Sequence, residues 1–328
     1  MSVGASSELI LESEPSLDSV ELAPGEVTAR SPLALFWRRF RADRVAMVSA
    51  IFIVLLIILA VAAPLVVSIL GLPSPYANDP NALDAFGSPT GPSASHLFGV
   101  DQLGRDVFAR VIYGARVSLE VGIFGTAIAA VVGTVMGLLA GFYRGWVDTV
   151  ISRLVDVFLA FPVLVLGLGI GAACGVRGCA GGLIQPGLGT VIFIIALSSF
   201  TYIARIARGQ VLSLREREFI EASRSLGASN RRIIFREILP NLVAPLIVYS
   251  SLLIPTNILF EAALSFLGVG IRPPTASWGQ MISDASPISQ TAWWYMVFPG
   301  VALLLTVLAF NLVGDGLLDA LNPRGESR

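Results

Sequence analysis

The chain is predicted to be an all-α, polytopic membrane protein with six transmembrane helices, and three observations lead there. Of its 328 residues, 55% are hydrophobic and only 14% charged, and the mean hydropathy of +0.77 is too high for an ordinary water-soluble domain. Uncharged stretches recur that are long enough to cross a hydrocarbon core of about 30 Å. The basic residues are shared unevenly between alternate connections, as orientation in a bilayer requires.

The elements follow in order. Residues 1–30 set Glu8, Glu12, Glu14, Asp18, Glu21 and Glu26 against Arg30 alone. They lack the basic-then-apolar order of a cleavable signal and read as a disordered acidic tail. Arg38, Arg39, Arg41 and Arg44 precede the first span, Ala46–Ile69, and the Pro/Gly/Ser/Asn-rich residues 71–95 form an outer loop. In the stretch His96–Leu119, Val107, Phe108, Val111 and Ile112 make a stripe that predicts a helix lying on the outer membrane surface.

The second span, about Ser118 to Phe142, carries Gly122, Gly125, Gly133, Gly137 and Gly141, which allow close helix packing in lipid. The third runs from about Ile151 to Ala173 and is broken by Pro162; the fourth is Leu188–Ile206. The fifth, Val243–Leu267, contains Pro245 and Pro255, and residues 268–292 make an outer loop. The sixth is Trp293–Val313, with Trp293, Trp294 and Tyr295 suited to an outer aromatic belt. Seventeen of the 22 basic residues, all Arg, fall in the segments this scheme puts inside, so both termini are expected in the cytoplasm.

Composition also narrows the chemistry. A net charge of −1 gives no case for nucleic-acid binding, and two Cys with one His supply too little for a metal site. Without any Lys the chain cannot form a Gly-x-x-x-x-Gly-Lys-Ser/Thr phosphate loop, and His-Glu-x-x-His and Gly-x-Ser-x-Gly are absent too. No catalytic residue and no cofactor bound by this chain are expected.

One charged, amphipathic stretch, Glu218–Pro240, interrupts the apolar sequence. Its spacing predicts two short helices meeting at Gly227. In the first, Phe219, Ala222, Ser223 and Leu226 make one face, while Glu218, Glu221 and Arg224 stay solvated. Gly227 suits a left-handed helix end, and Ser229 or Asn230 can cap the second helix. There Ile233, Ile234 and Ile238 oppose Arg231, Arg232 and Arg236, and Pro240 kinks the chain or starts a new helix. The small residues Ala222 and Ser223 leave the tip open to close approach by another protein.

The pattern Glu221-Ala222-Ser223, then Gly227, then Leu239-Pro240 resembles the EAA loop of ABC importer permeases, with Ser223 where Ala is usual and Glu237 where Ile is often found. His96–Leu119, Ile258–Gly279 and Pro299–Arg324 are similar to the dipeptide/oligopeptide C-type permeases, so that the resemblance covers about 32–324. It implies a type I ABC importer transmembrane domain with a cytoplasmic EAA coupling helix, in the inner membrane. The implied partners are a second homologous permease, two ATPase subunits that hold ATP and Mg, an extracytoplasmic substrate-binding protein and the peptide. The knuckle residues Glu218, Glu221, Ala222, Ser223, Gly227, Arg231, Leu239 and Pro240 would then dock on an ATPase. The chain divides into 1–30, an N-terminal segment 31–113, and a permease domain 114–324 that contains the coupling loop 216–240. Nickel chelates, haem or another small solute remain alternatives within this architecture; a stand-alone ion-coupled secondary transporter is an alternative outside it.

Other residues have two readings. Ser250, Asn257, Glu261 and Ser265 fall near one helical face, and either line the passage or tie helices together by hydrogen bonds. Cys174 and Cys179 sit in a predicted outer connection, where a disulfide can persist. Asp156 is expected to pair with Arg153 one turn away, and His96 to be an ordinary loop residue.

Overall fold

The computed structural model describes residues 32–321; the expectations for 1–30, and for Arg324 and Arg328 at the other end, lie outside the described residues. Among those described, helices dominate and no sheet forms, only isolated bridges such as Val100 to Asp106. Five helices are long and apolar enough to cross a membrane, and a sharply bent pair brings the number to six if the pair is counted as one span.

The chain enters through α1 (Pro32–Ala42), and Asp43 caps the next helix by accepting from the amides of Val45 and Ala46. The predicted first span divides into α2 (Arg44–Val61) and α3 (Ala63–Ile69), with Pro64 in the first turn of α3. The predicted surface helix does not exist as a separate element. Its apolar stripe is the start of α4 (Val107–Tyr143), a single helix of 37 residues. Asp106 caps it, accepting from the Ala109 amide at 2.8 Å. The boundary at 113/114 therefore falls inside one helix.

The glycines of α4 set its distance from its neighbours. A Cβ on Gly133 would lie 2.7 Å from the Phe200 carbonyl, and one on Gly141 would lie 2.8 Å from Val211 Cβ. Both contacts are to α7 (Leu188–Arg215), so the two helices touch backbone to backbone.

The third crossing is more sharply divided than expected. It begins earlier, as α5 (Gly145–Ala160), and resumes as α6 (Val163–Cys174) after a bend of 86°. Phe161 precedes Pro162 and is extended, with φ −86° and ψ 134°. The proline ring disfavours helical geometry at the residue before it, and the helix ends there.

After α7 come α8 (Glu218–Ser225), α9 (Asn230–Arg232) and α10 (Leu239–Phe266). Between α9 and α10 the chain widens into a π-helical turn over Ile233–Ile238. Pro240 has no amide to offer the Arg236 carbonyl, and the widened turn absorbs that missing bond. The second half of the knuckle is therefore not a free-standing short helix but the root of a transmembrane one.

The expected outer loop 268–292 contains a further helix, α11 (Trp278–Ala285), wedged against α4, α10 and the final helix, α12 (Trp293–Leu321). The expected aromatic belt shrinks to Trp293. Trp294 and Tyr295 are buried, and the Trp294 indole donates to the Val100 carbonyl at 3.1 Å, fastening the 71–106 loop onto α12. His96 also has a defined role, its Nδ1 lying 2.9 Å from the capping carboxylate of Asp106.

Candidate functional site

The knuckle connects two spans directly. Helix α7 ends at Arg215, with two residues between it and the start of α8, and α9 continues through the π turn into α10. At the end of α8 the Ala228 amide donates to the Ser223 carbonyl at 3.0 Å and the Gly227 amide to the Arg224 carbonyl at 2.9 Å, a Schellman closure. Gly227 is left-handed there, with φ +79°. The Ser229 hydroxyl then accepts from the Arg232 amide and caps the next helix.

Only Ile220 of α8 is buried, packed with Ile233, Ile234 and Ile238 and with Phe142 and Val211 at the ends of α4 and α7. The apolar face predicted for this helix, Phe219, Ala222, Ser223 and Leu226, does not pack inward: Phe219 is 41% exposed and Leu226 88%, with Ala222 exposed between them, so it points away from the bundle. Glu218, Glu221 and Arg231 are exposed around it, Ser223 and Leu239 are half-buried, and Pro240 is exposed. The structure thus gathers an apolar patch with a charged rim on a short, well-closed helix. That is the composition of a surface that buries a few anchors against another protein.

The halves of these helices nearer the knuckle are joined by ion pairs. Arg208 holds Asp148 through two bonds of 2.5 and 2.7 Å, Arg205 holds Asp156 at 2.7 Å, and Arg144 holds Glu216 at 2.5 Å. Asp156 therefore pairs across to α7 and not with Arg153 as its sequence neighbourhood predicted. Arg215 donates to the Phe142 carbonyl at the end of α4. Sequence reasoning missed this ladder, although opposite charges placed in two apolar spans were a signal for it.

The polar stripe of α10 is divided. Glu261 is fully buried, with one carboxylate oxygen accepting from Ser265 and Ser277 at 2.8 Å each and the other from Ser118 at 3.3 Å. Each of these hydroxyls in turn accepts a backbone amide, from Ile271, Gln280 and Trp278 respectively. The carboxylate thereby ties α4, α10 and the start of α11 together, which answers the cost of placing a charge among apolar helices. Asn257 accepts from Ser199 and donates to Thr126, at 2.8 Å in each case. Ser250 stands apart, on an open apolar groove of about 600 Å³ between α4 and α10.

Cys174 and Cys179 are joined through their sulfurs, with Cα atoms 5.1 Å apart, in the connection after α6. No cluster among the described residues has the ligands to hold a metal ion.

Comparison with known proteins identifies the family. Residues 133–326 match the family model described as binding-protein-dependent transport system inner membrane component, and residues 31–89 match the N-terminal TM domain of oligopeptide transport permease C. The MetNI methionine ABC transporter, solved in inward-facing conformations, shares the fold with a TM-score of 0.55 at 22% identity, over 66% of this chain and 97% of that one. Fold and family match together define a multi-pass ABC importer permease. The chain belongs to the binding-protein-dependent inner membrane component family, as a permease of the dipeptide/oligopeptide type. Its relatives include the dipeptide transport system permease protein DppC of Alkalihalophilus pseudofirmus, 43% identical over 92% of this chain and 93% of the relative. The glutathione transport system permease protein GsiD of Escherichia coli is 44% identical over 90% of this chain and 91% of its own length.

Proposed function

We propose that the chain forms half of the passage of an ATP-driven importer for dipeptides or short oligopeptides, and that α8 is the handle by which an ATPase subunit moves it. The supporting observation is the exposed Phe219–Ala222–Leu226 face, held by Ile220 at the meeting point of α7 and α10. A push on α8 is delivered to both spans, because one helix ends and the other begins at the knuckle. Both termini and the knuckle lie in the cytoplasm in this reading, in keeping with the Arg bias. A second permease completes the passage, two ATPase subunits hold ATP and Mg, and an extracytoplasmic binding protein delivers the solute.

The relative named for glutathione transport supports a second solute within the same reading, since glutathione is itself a small peptide. The test is to reconstitute the assembled complex and measure uptake of labelled dialanine and of glutathione, with ATP hydrolysis followed in parallel. Stimulated hydrolysis with uptake of either solute supports the proposal. Uptake that needs an ion gradient and no ATPase subunit would overturn it.

A further inference from the structure

Helices α5 and α7 carry their charges along facing sides. Asp148, Ser152 and Asp156 recur every fourth residue of α5, one stripe of a helix. Arg208 and Arg205 answer them from α7. Asp156 lies eleven residues from the inner end of α5 and Arg205 ten from that of α7, about 15 Å of helix in each case. Helix α7 is about 42 Å long at that rise, and with Leu188 set at the outer edge of a hydrocarbon core of about 30 Å Arg205 stands just inside the inner edge.

At that depth the pair is open, with 59% of the Arg205 side chain and 49% of the Asp156 side chain exposed. Hydrocarbon is a poor host for such a pair, and charges inside spans face protein or water. Three features favour water. The pair borders a concave cleft of about 400 Å³ rather than a flat face, floored by Gly137 and Ala140 of α4. Its two charges already neutralise each other, so a protein cover is not required to supply a counter-charge. The polar stripe also continues, through Ser152 and Asp148, to the inner end of α5.

We propose that this cleft is a water-filled wall of the inner half of the passage, and that the Asp156–Arg205 pair is a contact site for a zwitterionic peptide. The free carboxylate of the peptide meets the guanidinium of Arg205, and its ammonium group meets the carboxylate of Asp156. The identity of the solute rests on the importer reading above; the presence of water does not.

The test is thiol labelling in inside-out vesicles containing the assembled transporter, read by mass spectrometry at the substituted residue. Ser152→Cys is the reporter, Ile151→Cys on the same cleft a second one, and Leu55→Cys on the exposed apolar face of α2 the comparison. The cationic 2-(trimethylammonio)ethyl and anionic 2-sulfonatoethyl methanethiosulfonates serve as probes. We expect both to modify a cleft reporter at least about fiftyfold faster than Leu55→Cys, the scale of the penalty for a charge in hydrocarbon. Millimolar dialanine should slow the reaction severalfold. Cleft reporters as slow as the comparison, with and without ATP, would overturn the proposal, and fast labelling indifferent to dialanine would overturn its solute half. Uptake of dialanine by the unsubstituted complex is read separately, so a failed importer reading leaves the water result standing.

Discussion

Gly227 and Glu261 show how differently single residues can constrain this chain. A Cβ on Gly227 would meet nothing within 4 Å, so its requirement lies wholly in its φ of +79°. Gly227→Val should cost about 1–2 kcal/mol in the turn and more in lost geometry of α8. Gly227→Asn, which tolerates the left-handed region, should be far milder. The expected readout is loss of ATPase co-purification for Val and retention for Asn, with the detergent-solubilised Val variant melting somewhat below the Asn variant. Glu261 is constrained by contacts instead. Glu261→Ala leaves three hydroxyl donors without their acceptor, at roughly 1–3 kcal/mol each before relaxation. Glu261→Gln keeps an acceptor for Ser265 and Ser277 and should lose about one bond's worth. Melting temperature, and protease access to residues 268–292, should rank native above Gln and Gln above Ala. Gly227 was legible in the sequence because its need is local. The partners of Glu261 were not, because Ser118 is 143 residues away and Ser277 lies beyond the end of the helix.

Among the elements, α4 depends on what its neighbours leave room for. A Cβ on Gly137 would lie 2.6 Å from that of Ala207 and closer still to the Ala204 carbonyl, whereas one on Gly209 would meet nothing within 4 Å. Gly137→Leu should therefore abolish accumulation of folded protein. Gly209→Ala should be neutral or stabilising by up to about 1 kcal/mol, since glycine is the poorer helix former. Immunoblotting of membranes and melting curves check the pair. The small-residue stripe announced close packing, but not that α7 was the partner. Helix α5 carries the opposite lesson. Its break at Pro162 was visible as a proline, but the 86° bend and the pairing of Asp156 with Arg205 depend on where α7 lies. A local rule favoured Arg153, and a tertiary contact overrode it.

For the whole molecule, the predicted consequence is mechanical separation of attachment from stability. Phe219 and Leu226 contribute little to the core, being 41% and 88% exposed, while Ile220 beside them is buried. Leu226→Arg should weaken capture of the ATPase subunit about tenfold or more, the scale of losing a central anchor, and leave melting of the chain unchanged. Ile220→Ala should do the reverse first, lowering the melting point as a buried side chain is lost, by about 2–5 kcal/mol. Titrating purified ATPase against each variant, with melting recorded on the same samples, separates the two effects. Equal loss of melting in both variants would sink the assignment of that face to a partner.

What the sequence determined by itself was what a bilayer demands: the approximate spans, the Arg asymmetry and a left-handed turn at Gly227, each readable from composition or from a few neighbouring residues. Only the tertiary structure decided that Phe219 and Leu226 turn outward, that the predicted surface helix is the start of α4, that α11 folds back among the spans, and that Glu261 serves α4 and α11 as well as α10. The physical reason is common to all four. In a chain this apolar, hydrophobic periodicity no longer separates inside from outside, because lipid, a partner and the protein's own core all accept the same side chains. The choice among them is made by packing between residues distant in sequence.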